Sequence, residues 1–322
     1  MSHRDAALRP PGSLHGAPLP VTSDVAYLRT AIVNVVFVGA PDAARWVLVD
    51  AGMPGHAEHI ADAAGRRYGE GARPAAIVLT HGHFDHIGSL RALAERWDVP
   101  VYAHPLELPY VTGHSSYPPP DPTVGGGVMT RLSPLYPKGP IDLGPRARPL
   151  PDDGTVPGMP GWRWIFTPGH APGHVSFFRA ADRTLIAGDA FVTTKQESAL
   201  AVLTQRPELH GPPMYFTPDW EQAWSSVNAL AALEPAAAIT GHGQPMRGPA
   251  LVDDLHALAR EFDVRAIPAH GRYVGRPAVT DERGVVSLPP APPDPLPKAV
   301  LGIGAVVALG LVVRAMRDDR ND

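Results

Sequence analysis

The sequence contains no cysteine among its 322 residues. Disulfide bonds and thiol catalysis are therefore excluded, and any bound metal must be held by histidine, aspartate or glutamate side chains. The lack of disulfides suits a reducing compartment, so we expect a cytoplasmic catalytic domain. The chain also lacks an apolar run behind its charged first residues, which argues against a secretory signal.

Lysine is scarce as well, with three in the whole chain, and the formal net charge is −4. This charge argues against a nucleic-acid-binding protein, because such proteins rely on a basic surface. Glycine and proline are abundant, at 32 and 39 residues, and predict long loops between compact elements. A hydrophobic fraction of 44% over this length is enough for one large core or two moderate ones.

The motif His81-x-His83-x-Asp85-His86 places metal-ligand side chains directly after the apolar run 75–79. Imidazole and carboxylate are the ligands that zinc takes when thiolate is absent. Side chains two apart in an extended segment share a face, so His81 and His83 can point at the same metal. Asp85 and His86 then fall in the following turn and can serve a second metal. A polar surface loop is the alternative interpretation.

Three further ligand-type residues, His170, Asp189 and His242, follow later apolar runs. Ligand sites in layered α/β proteins gather beyond the carboxyl ends of strands, so we expect these residues to converge on the first motif. Strands followed by helices occur twice along the chain, which predicts two similar halves in an α/β fold, packed as an αββα sandwich. The predicted strands cover 25–38, 46–49, 75–79, 100–103, 162–166, 175–178, 184–187 and 236–239, and the predicted helices 56–68, 87–97, 219–233 and 249–262.

Together, the first motif, the segment Thr167-Pro-Gly-His170-x-Pro-Gly-His174, Gly188-Asp189 and Gly241-His242 resemble the metallo-β-lactamase superfamily. The resemblance covers about residues 25–273 and is closest to the hydroxyacylglutathione-hydrolase-like and lactonase-like branches. It implies the metallo-β-lactamase fold and a binuclear metal centre. One departure is Val192, which stands where acyl-homoserine lactonases carry a tyrosine.

The resemblance also implies the role of each ligand. One metal would be held by His81, His83 and His170, and the other by Asp85, His86 and His242. Asp189 would bridge the two metals, and a hydroxide between them would be the nucleophile, which makes Asp85 and Asp189 the catalytic carboxylates. Two zinc ions per chain are expected, although iron or manganese would also suit these ligands. His174 and Asp50 are expected to support the ligands without binding metal.

These roles predict a binuclear hydrolase that attacks an ester, thioester or lactone of a small molecule. Two other activities of the same fold remain open: a mononuclear iron persulfide dioxygenase, and a phosphodiesterase or β-lactamase. A membrane-tethered binding domain with a vestigial site is the non-enzymatic alternative. Lys195 and Tyr215 are candidate substrate contacts, against a solvated loop lysine and a core aromatic. The Pro- and Gly-rich segment 105–161 is expected to cover the substrate.

The domain organisation follows from composition. Residues 1–22 are predicted to be an irregular extension, 23–275 the catalytic domain and 276–297 a proline-rich linker. Residues 299–313 carry no charge, and with Lys298 and Arg314 reaching outward, 298–316 is long enough for a single-pass membrane helix. This predicts a membrane tether, and a helix buried against the domain is the alternative.

Overall fold

The computed structural model describes residues 16–291. Its strands are β1 Leu19–Pro20, β2 Val25–Thr30, β3 Val33–Val38, β4 Val47–Val49, β5 Ala76–Val78, β6 Val101–Ala103, β7 Ala147–Pro149, β8 Trp162–Phe166, β9 Val175–Arg179, β10 Thr184–Gly188, β11 Ala237–Thr240, β12 Met246–Arg247, β13 Val279–Asp281 and β14 Gly284–Ser287. Its α-helices are α1 Ala57–Tyr68, α2 Leu90–Trp97, α3 Leu108–Val111, α4 Val128–Leu132, α5 Ala199–Thr204, α6 Trp220–Ala231, α7 Pro249–Arg260 and α8 Phe262–Arg265. Short 3₁₀ turns lie at Pro105–Glu107, Ser133–Leu135, Gly144–Arg146 and Met214–Phe216.

Two sheets face each other at the centre of the molecule. The first runs β1 to β7 in chain order, and the second runs β12-β11-β10-β9-β8. Their inner faces share one apolar cluster, to which the first sheet gives Val49 and Val78 and the second gives Phe177 and Ile239. These side chains are at most 1% exposed, so the space between the sheets is a closed core.

Helices cover the outer face of each sheet. The alternation of side chains along a strand sends Leu48 and Ile77 outward, where they pack with Ile60 of α1 and Leu93 of α2. On the second sheet, Leu185 packs in the same way against α6 and α7. The four layers confirm the predicted αββα sandwich, and the predicted strands and helices lie within a few residues of the observed ones.

The predicted strand 25–38 is instead a hairpin. β2 and β3 pair antiparallel over their whole length, with Thr30 opposite Val33. The turn between them places Ala31 at a φ of 59°, in the left-handed region. Since the turn contains no glycine, proline or asparagine, nothing in the local composition signals it.

The segment 276–297 is not a plain linker, because its first half contains the hairpin β13–β14. Val285 in this hairpin packs against the buried cluster of Tyr110, Tyr117 and Ala171. Its backbone N–H donates to Ser115 Oγ at 3.2 Å. The hairpin therefore belongs to the folded domain, which corrects the predicted domain end at residue 275.

The prediction of a membrane tether is corrected by the helices of the structure. Within residues 16–291, none of them combines the length and apolar character that a bilayer crossing requires. The segment 298–316, for which the tether was predicted, lies outside the described residues, as does most of the predicted extension 1–22.

Candidate metal centre

The four predicted ligand segments meet at one edge of the sandwich. The first motif follows β5, His170 lies in the loop between β8 and β9, Asp189 follows β10 and His242 follows β11. All seven side chains are buried, with at most 6% of their surface exposed. Three groups of them bring a ligand atom from each member within 4.8 Å of the others. These groups are His81/His83/His170, His81/His86/Asp189 and Asp85/His86/His242.

The first of these groups consists of imidazoles only, and we call it the imidazole set. The rings of His81 and His83 lie 4.6 Å apart, nearly perpendicular to each other. His83 Nδ1 and His170 Nε2 are 2.9 Å apart, so two ring nitrogens from different loops point toward one place. A tetrahedral metal site needs this convergence of nitrogen lone pairs.

The group Asp85/His86/His242 we call the carboxylate set, and Asp189 lies between the two sets. Asp189 Oδ2 is 3.4 Å from His170 Nε2 in the imidazole set. The same oxygen is 3.5 Å from His86 Nε2 and 3.2 Å from His242 Nε2 in the carboxylate set. His242 Nε2 is also 3.3 Å from Asp85 Oδ2. One carboxylate therefore reaches ligands of both sets.

Asp50 orients two of the imidazoles from behind. Its Oδ1 accepts the backbone N–H of Thr80 at 2.8 Å, and its Oδ2 accepts the Thr80 hydroxyl at 2.7 Å. Asp50 Oδ2 also lies 2.8 Å from His86 Nδ1, while the Thr80 hydroxyl lies 3.1 Å from His81 Nδ1. Because both Nδ1 atoms are thereby engaged, the Nε2 atoms of His81 and His86 face the centre.

His174 is held by one side-chain hydroxyl and one backbone N–H, and His242 by a backbone carbonyl. Thr167 Oγ1 lies 2.8 Å from His174 Nδ1, and Asp189 donates its backbone N–H to His174 Nε2 at 2.9 Å. Both ring nitrogens of His174 are therefore used, and the ring positions Asp189. His242 Nδ1 lies 2.7 Å from the Ile32 carbonyl oxygen in the turn of the β2–β3 hairpin.

The donor atoms of the centre fit a metal. Three buried polar atoms there have no hydrogen-bond partner within the described part of the chain: His81 Nε2, His86 Nε2 and Asp189 Oδ1. Such atoms are costly to bury unless something else satisfies them. Gly241 also fits the arrangement, because a Cβ atom there would collide with the Asp189 carboxylate and the His86 ring.

The two sets differ in their electrostatics. Burial lowers the pKa of His83 to about 4. Burial also holds the pKa of His81 well below its usual range, and neighbouring imidazoles lower it further. Burial also acts against charged His242, but the Asp189 and Asp85 carboxylates outweigh it and raise the pKa of His242 to about 10. The imidazole set is therefore neutral, which is the metal-binding form, and the carboxylate set lies in a negative potential.

Lys195 and Tyr215, the candidate substrate residues, lie in different surroundings. Lys195 is exposed on the loop after Asp189 and is close enough to His210 to act on its charge. Tyr215 is buried, with its ring centroid 6.0 Å from that of Tyr136. Burial raises the pKa of Tyr215 well above its usual range, and nearby Tyr136 and Asp85 act in the same direction. The Tyr215 ring also lies 5.0 Å from that of Phe216, which stacks on His83 of the imidazole set.

Two residues of the centre escaped the sequence analysis. Glu107 is fully buried, and its carboxylate accepts the backbone N–H of Gly82 at 2.9 Å and that of Gly173 at 2.8 Å. The Tyr117 hydroxyl donates to the same carboxylate. Burial raises the pKa of Glu107 to about 7, although these hydrogen bonds act in the opposite direction. A single acid within the largely apolar stretch 106–111 was the signal that could have found it.

The comparison with protein families agrees with this geometry. Residues 28–242 match the family described as the metallo-beta-lactamase superfamily. The chain belongs to that superfamily. The probable metallo-hydrolase YflN of Bacillus subtilis (strain 168) is 50% identical over 248 residues, which is 77% of this chain and 94% of that protein. Membership of the family and this relative support a metallo-hydrolase.

One solved structure of the same fold and one partial relative complete the comparison. The beta-lactamase domain protein from Burkholderia ambifaria superposes with a TM-score of 0.53 at 21% identity, covering 80% of this chain and 79% of that one. This confirms the predicted metallo-β-lactamase fold. A hydroxyacylglutathione hydrolase of Xylella fastidiosa (strain M12) is 44% identical, but over 87 residues only, which is 27% of this chain and 28% of that protein. The superfamily is thus established without its branch.

Proposed function

We propose that the protein is a binuclear metal-dependent hydrolase that cleaves an ester, thioester or lactone of a small molecule. The observation that carries this proposal is the position of Asp189, whose Oδ2 lies 3.2 to 3.5 Å from ring nitrogens of both ligand sets. A carboxylate between two metals is what a bridged centre requires. The local similarity to a hydroxyacylglutathione hydrolase supports that branch over the lactonase-like branch.

In this proposal each ligand set holds one metal. His81, His83 and His170 would hold the first, Asp85, His86 and His242 the second, and Asp189 would bridge them. His174 and Asp50 would support Asp189 and His86 from outside the centre. Zinc suits four to five nitrogen and oxygen donors, and iron or manganese suits the same donors, so the metal is to be decided by measurement.

Bound metal ions would supply a water molecule of lowered pKa and a Lewis acid for the carbonyl oxygen. The residues of this chain contribute the rest. Burial acts to raise the pKa values of Asp85 and Asp189, but hydrogen bonds and charge from His242 and His86 outweigh it and lower both values. These carboxylates therefore stay ionised and would stabilise the positive charge of a bound metal. The burial of all seven side chains keeps bulk water away and strengthens every electrostatic interaction there.

The segment 105–161 is proposed to cover the substrate. Met129 and Tyr136 from this segment pack in one cluster with Phe84 and Phe216. The Phe216 ring in turn stacks on His83 with the centroids 4.7 Å apart. These contacts put the segment above the imidazole set, where Tyr215 and, from the neighbouring loop, Lys195 are proposed to contact the substrate.

The test combines metal analysis with a substrate panel. The purified protein is expected to carry two metals per chain, to lose its activity on chelation and to regain it with zinc, iron or manganese. Matched thioesters, lactones, phosphodiesters and β-lactams then define the reaction, and the expected substrates are in the first two groups. One iron per chain with oxygen uptake on a persulfide would contradict the hydrolase and support the dioxygenase. A preference for phosphodiesters or β-lactams would contradict the carbonyl class proposed here.

A further inference from the structure

We propose that Glu107 is a positioning residue for the imidazole set: a buried carboxylate that clasps the two loops carrying His81, His83 and His170. This inference rests on the proposed metal centre and adds a residue to it. Glu107 comes from the segment 105–161, which was expected only to cover the substrate. The segment would thus have a second task, to fix the spacing between two ligand loops.

The hydrogen bonds of Glu107 carry the argument. Oε2 accepts the N–H of Gly82, which lies between His81 and His83, at 2.9 Å. Oε1 accepts the N–H of Gly173, three residues after His170, at 2.8 Å. Each oxygen therefore holds a different ligand loop, and the rigid carboxylate sets the distance between them.

Tyr117 adds to these contacts, and we call Glu107 and Tyr117 together the clasp. Its hydroxyl donates to Glu107 Oε2 and accepts the N–H of Gly82 at 2.8 Å. The Tyr117 ring also packs on the His83 ring, with centroids 4.5 Å apart. The same side chain thus supports both the loop backbone and one of its ligands.

The glycines that meet the clasp have no room for a side chain. A Cβ atom at Gly82 would lie 2.7 Å from Tyr117 Oη, and one at Gly173 would lie 2.8 Å from Glu107 Cγ. The loop 167–174 carries both His170 and Gly173. It is closed by a hydrogen bond from the Thr167 N–H to the His174 carbonyl at 2.9 Å. Because this hydrogen bond closes the loop, a hold on Gly173 also constrains His170.

A fully buried carboxylate is retained only where hydrogen bonds compensate its desolvation. Here every donor that Glu107 receives comes from a ligand loop or from the residue packed on a ligand. Apolar packing would suffice if the residue served the core alone. The clasp acts on the imidazole set, and none of its hydrogen bonds reaches Asp85, His86 or His242.

The test uses the full chain loaded with Co²⁺, whose absorption spectrum reports ligand geometry independently of turnover. Glu107→Gln replaces one acceptor oxygen by an NH₂ group that faces a backbone N–H. We expect Co²⁺ to bind the first site about 10–100-fold more weakly, as for other residues that orient metal ligands. The spectrum of that site should shift, and amide hydrogen exchange over 80–86 and 168–175 should accelerate in the metal-free protein.

The matched control is Glu197→Gln. Glu197 is also buried and accepts a backbone N–H, from Met214 at 2.8 Å, but in a different loop. It should leave Co²⁺ affinity and spectrum at wild-type values. A Glu107→Gln protein with wild-type affinity, spectrum and exchange would overturn the inference.

Tyr117→Phe keeps the inference testable if Glu107→Gln does not fold. It removes the hydroxyl that donates to Glu107 and accepts from Gly82, but leaves both backbone hydrogen bonds to Glu107. We therefore expect a loss of Co²⁺ affinity below about tenfold, with a shifted spectrum. Wild-type behaviour of this variant would also count against the clasp. If the wild-type protein bound fewer than two metals, the proposed function would fail first, and the inference with it.

Discussion

The imidazole set and the carboxylate set lie side by side and differ in how the chain prepares them for a cation. The imidazole set offers three neutral rings, whose pKa values burial lowers, and it brings no charge of its own. The carboxylate set contains Asp85 and shares Asp189. Against the effect of burial, Asp189 and Asp50 raise the pKa of His86, and Asp189 and Asp85 raise that of His242. One set would attract a metal through lone pairs alone, and the other would add negative charge.

This difference teaches that two sets of candidate metal ligands can be electrostatically unequal although their members come from two similar halves of a fold. Each set takes ligands from both halves, so neither half forms a site alone. Asp189 reaches ring nitrogens of both sets. Changes at Asp189, at Asp85 and at a histidine outside both sets therefore probe the difference in turn.

Asp189→Ala should have the largest effect, because it removes the carboxylate that both sets share. We expect fewer than two metals per chain by elemental analysis, and a loss of kcat/KM of about 10³-fold or more. Asp152→Ala, a change of the same kind at an exposed acid, is the control and should leave both values unchanged. An Asp189→Ala protein that keeps two metals and full activity would rule out the bridged centre.

Asp85→Asn should have a smaller and more selective effect. The substitution keeps the shape of the side chain but removes the negative charge of Asp85, which belongs to the carboxylate set alone. We expect metal content to fall toward one per chain, with about 10²-fold loss of kcat/KM, while the Co²⁺ spectrum of the imidazole set stays as in the wild type. Loss of both metals together would show that the two sets are coupled and do not bind metal independently.

A change at His104 should have the smallest effect. It separates the effect of burying an imidazole on stability from the effect of metal binding. Its ring stacks on Phe166 at 4.5 Å outside both sets, and burial lowers its pKa to about 4. Because the folded pKa lies below the unfolded value of about 6.5, its neutral form stabilises the fold above pH 6.5. That stabilisation is lost as the pH falls from 6.5 toward 4.

His104→Gln should therefore make the fall in Tm between pH 7 and pH 5 shallower than in the wild type. Both proteins are measured with the same metal loading, so that the ligand histidines contribute equally to each curve. The group is partly exposed, and solvent screening should keep the difference to a few degrees. Parallel curves for the two proteins would assign the pH dependence to other groups.

The positions of the ligands could be predicted from sequence because short apolar strands ending in histidine or aspartate are local signals. His170, Asp189 and His242 follow strands whose ends meet at one edge of the sandwich, and that convergence is a general property of layered folds. Glu107 could not be found in this way, since its partners are backbone N–H groups at Gly82 and Gly173, far away in the chain. A main-chain donor leaves no trace in residue identity.

The β2–β3 turn escaped prediction for a related reason. A run that is mostly β-branched and apolar predicts one strand, and only pairing with a neighbour decides where the chain reverses. The turn at Ala31 carries its information in backbone conformation, which Ala31 adopts without the usual turn residues. Likewise, the hairpin in 276–297 is defined by its contacts with Ser115 and Tyr117, and its composition alone resembles a linker.

The contact between His242 and the Ile32 carbonyl joins residues that are 210 positions apart in the chain. During synthesis, the N-terminal hairpin is complete long before the histidine that it orients leaves the ribosome. The carboxylate set can therefore assemble only after nearly the whole fold has been made, and such distant pairings form slowly. Metal loading should then report the last step of folding. A chain that holds its full metal complement would therefore be a completely folded one.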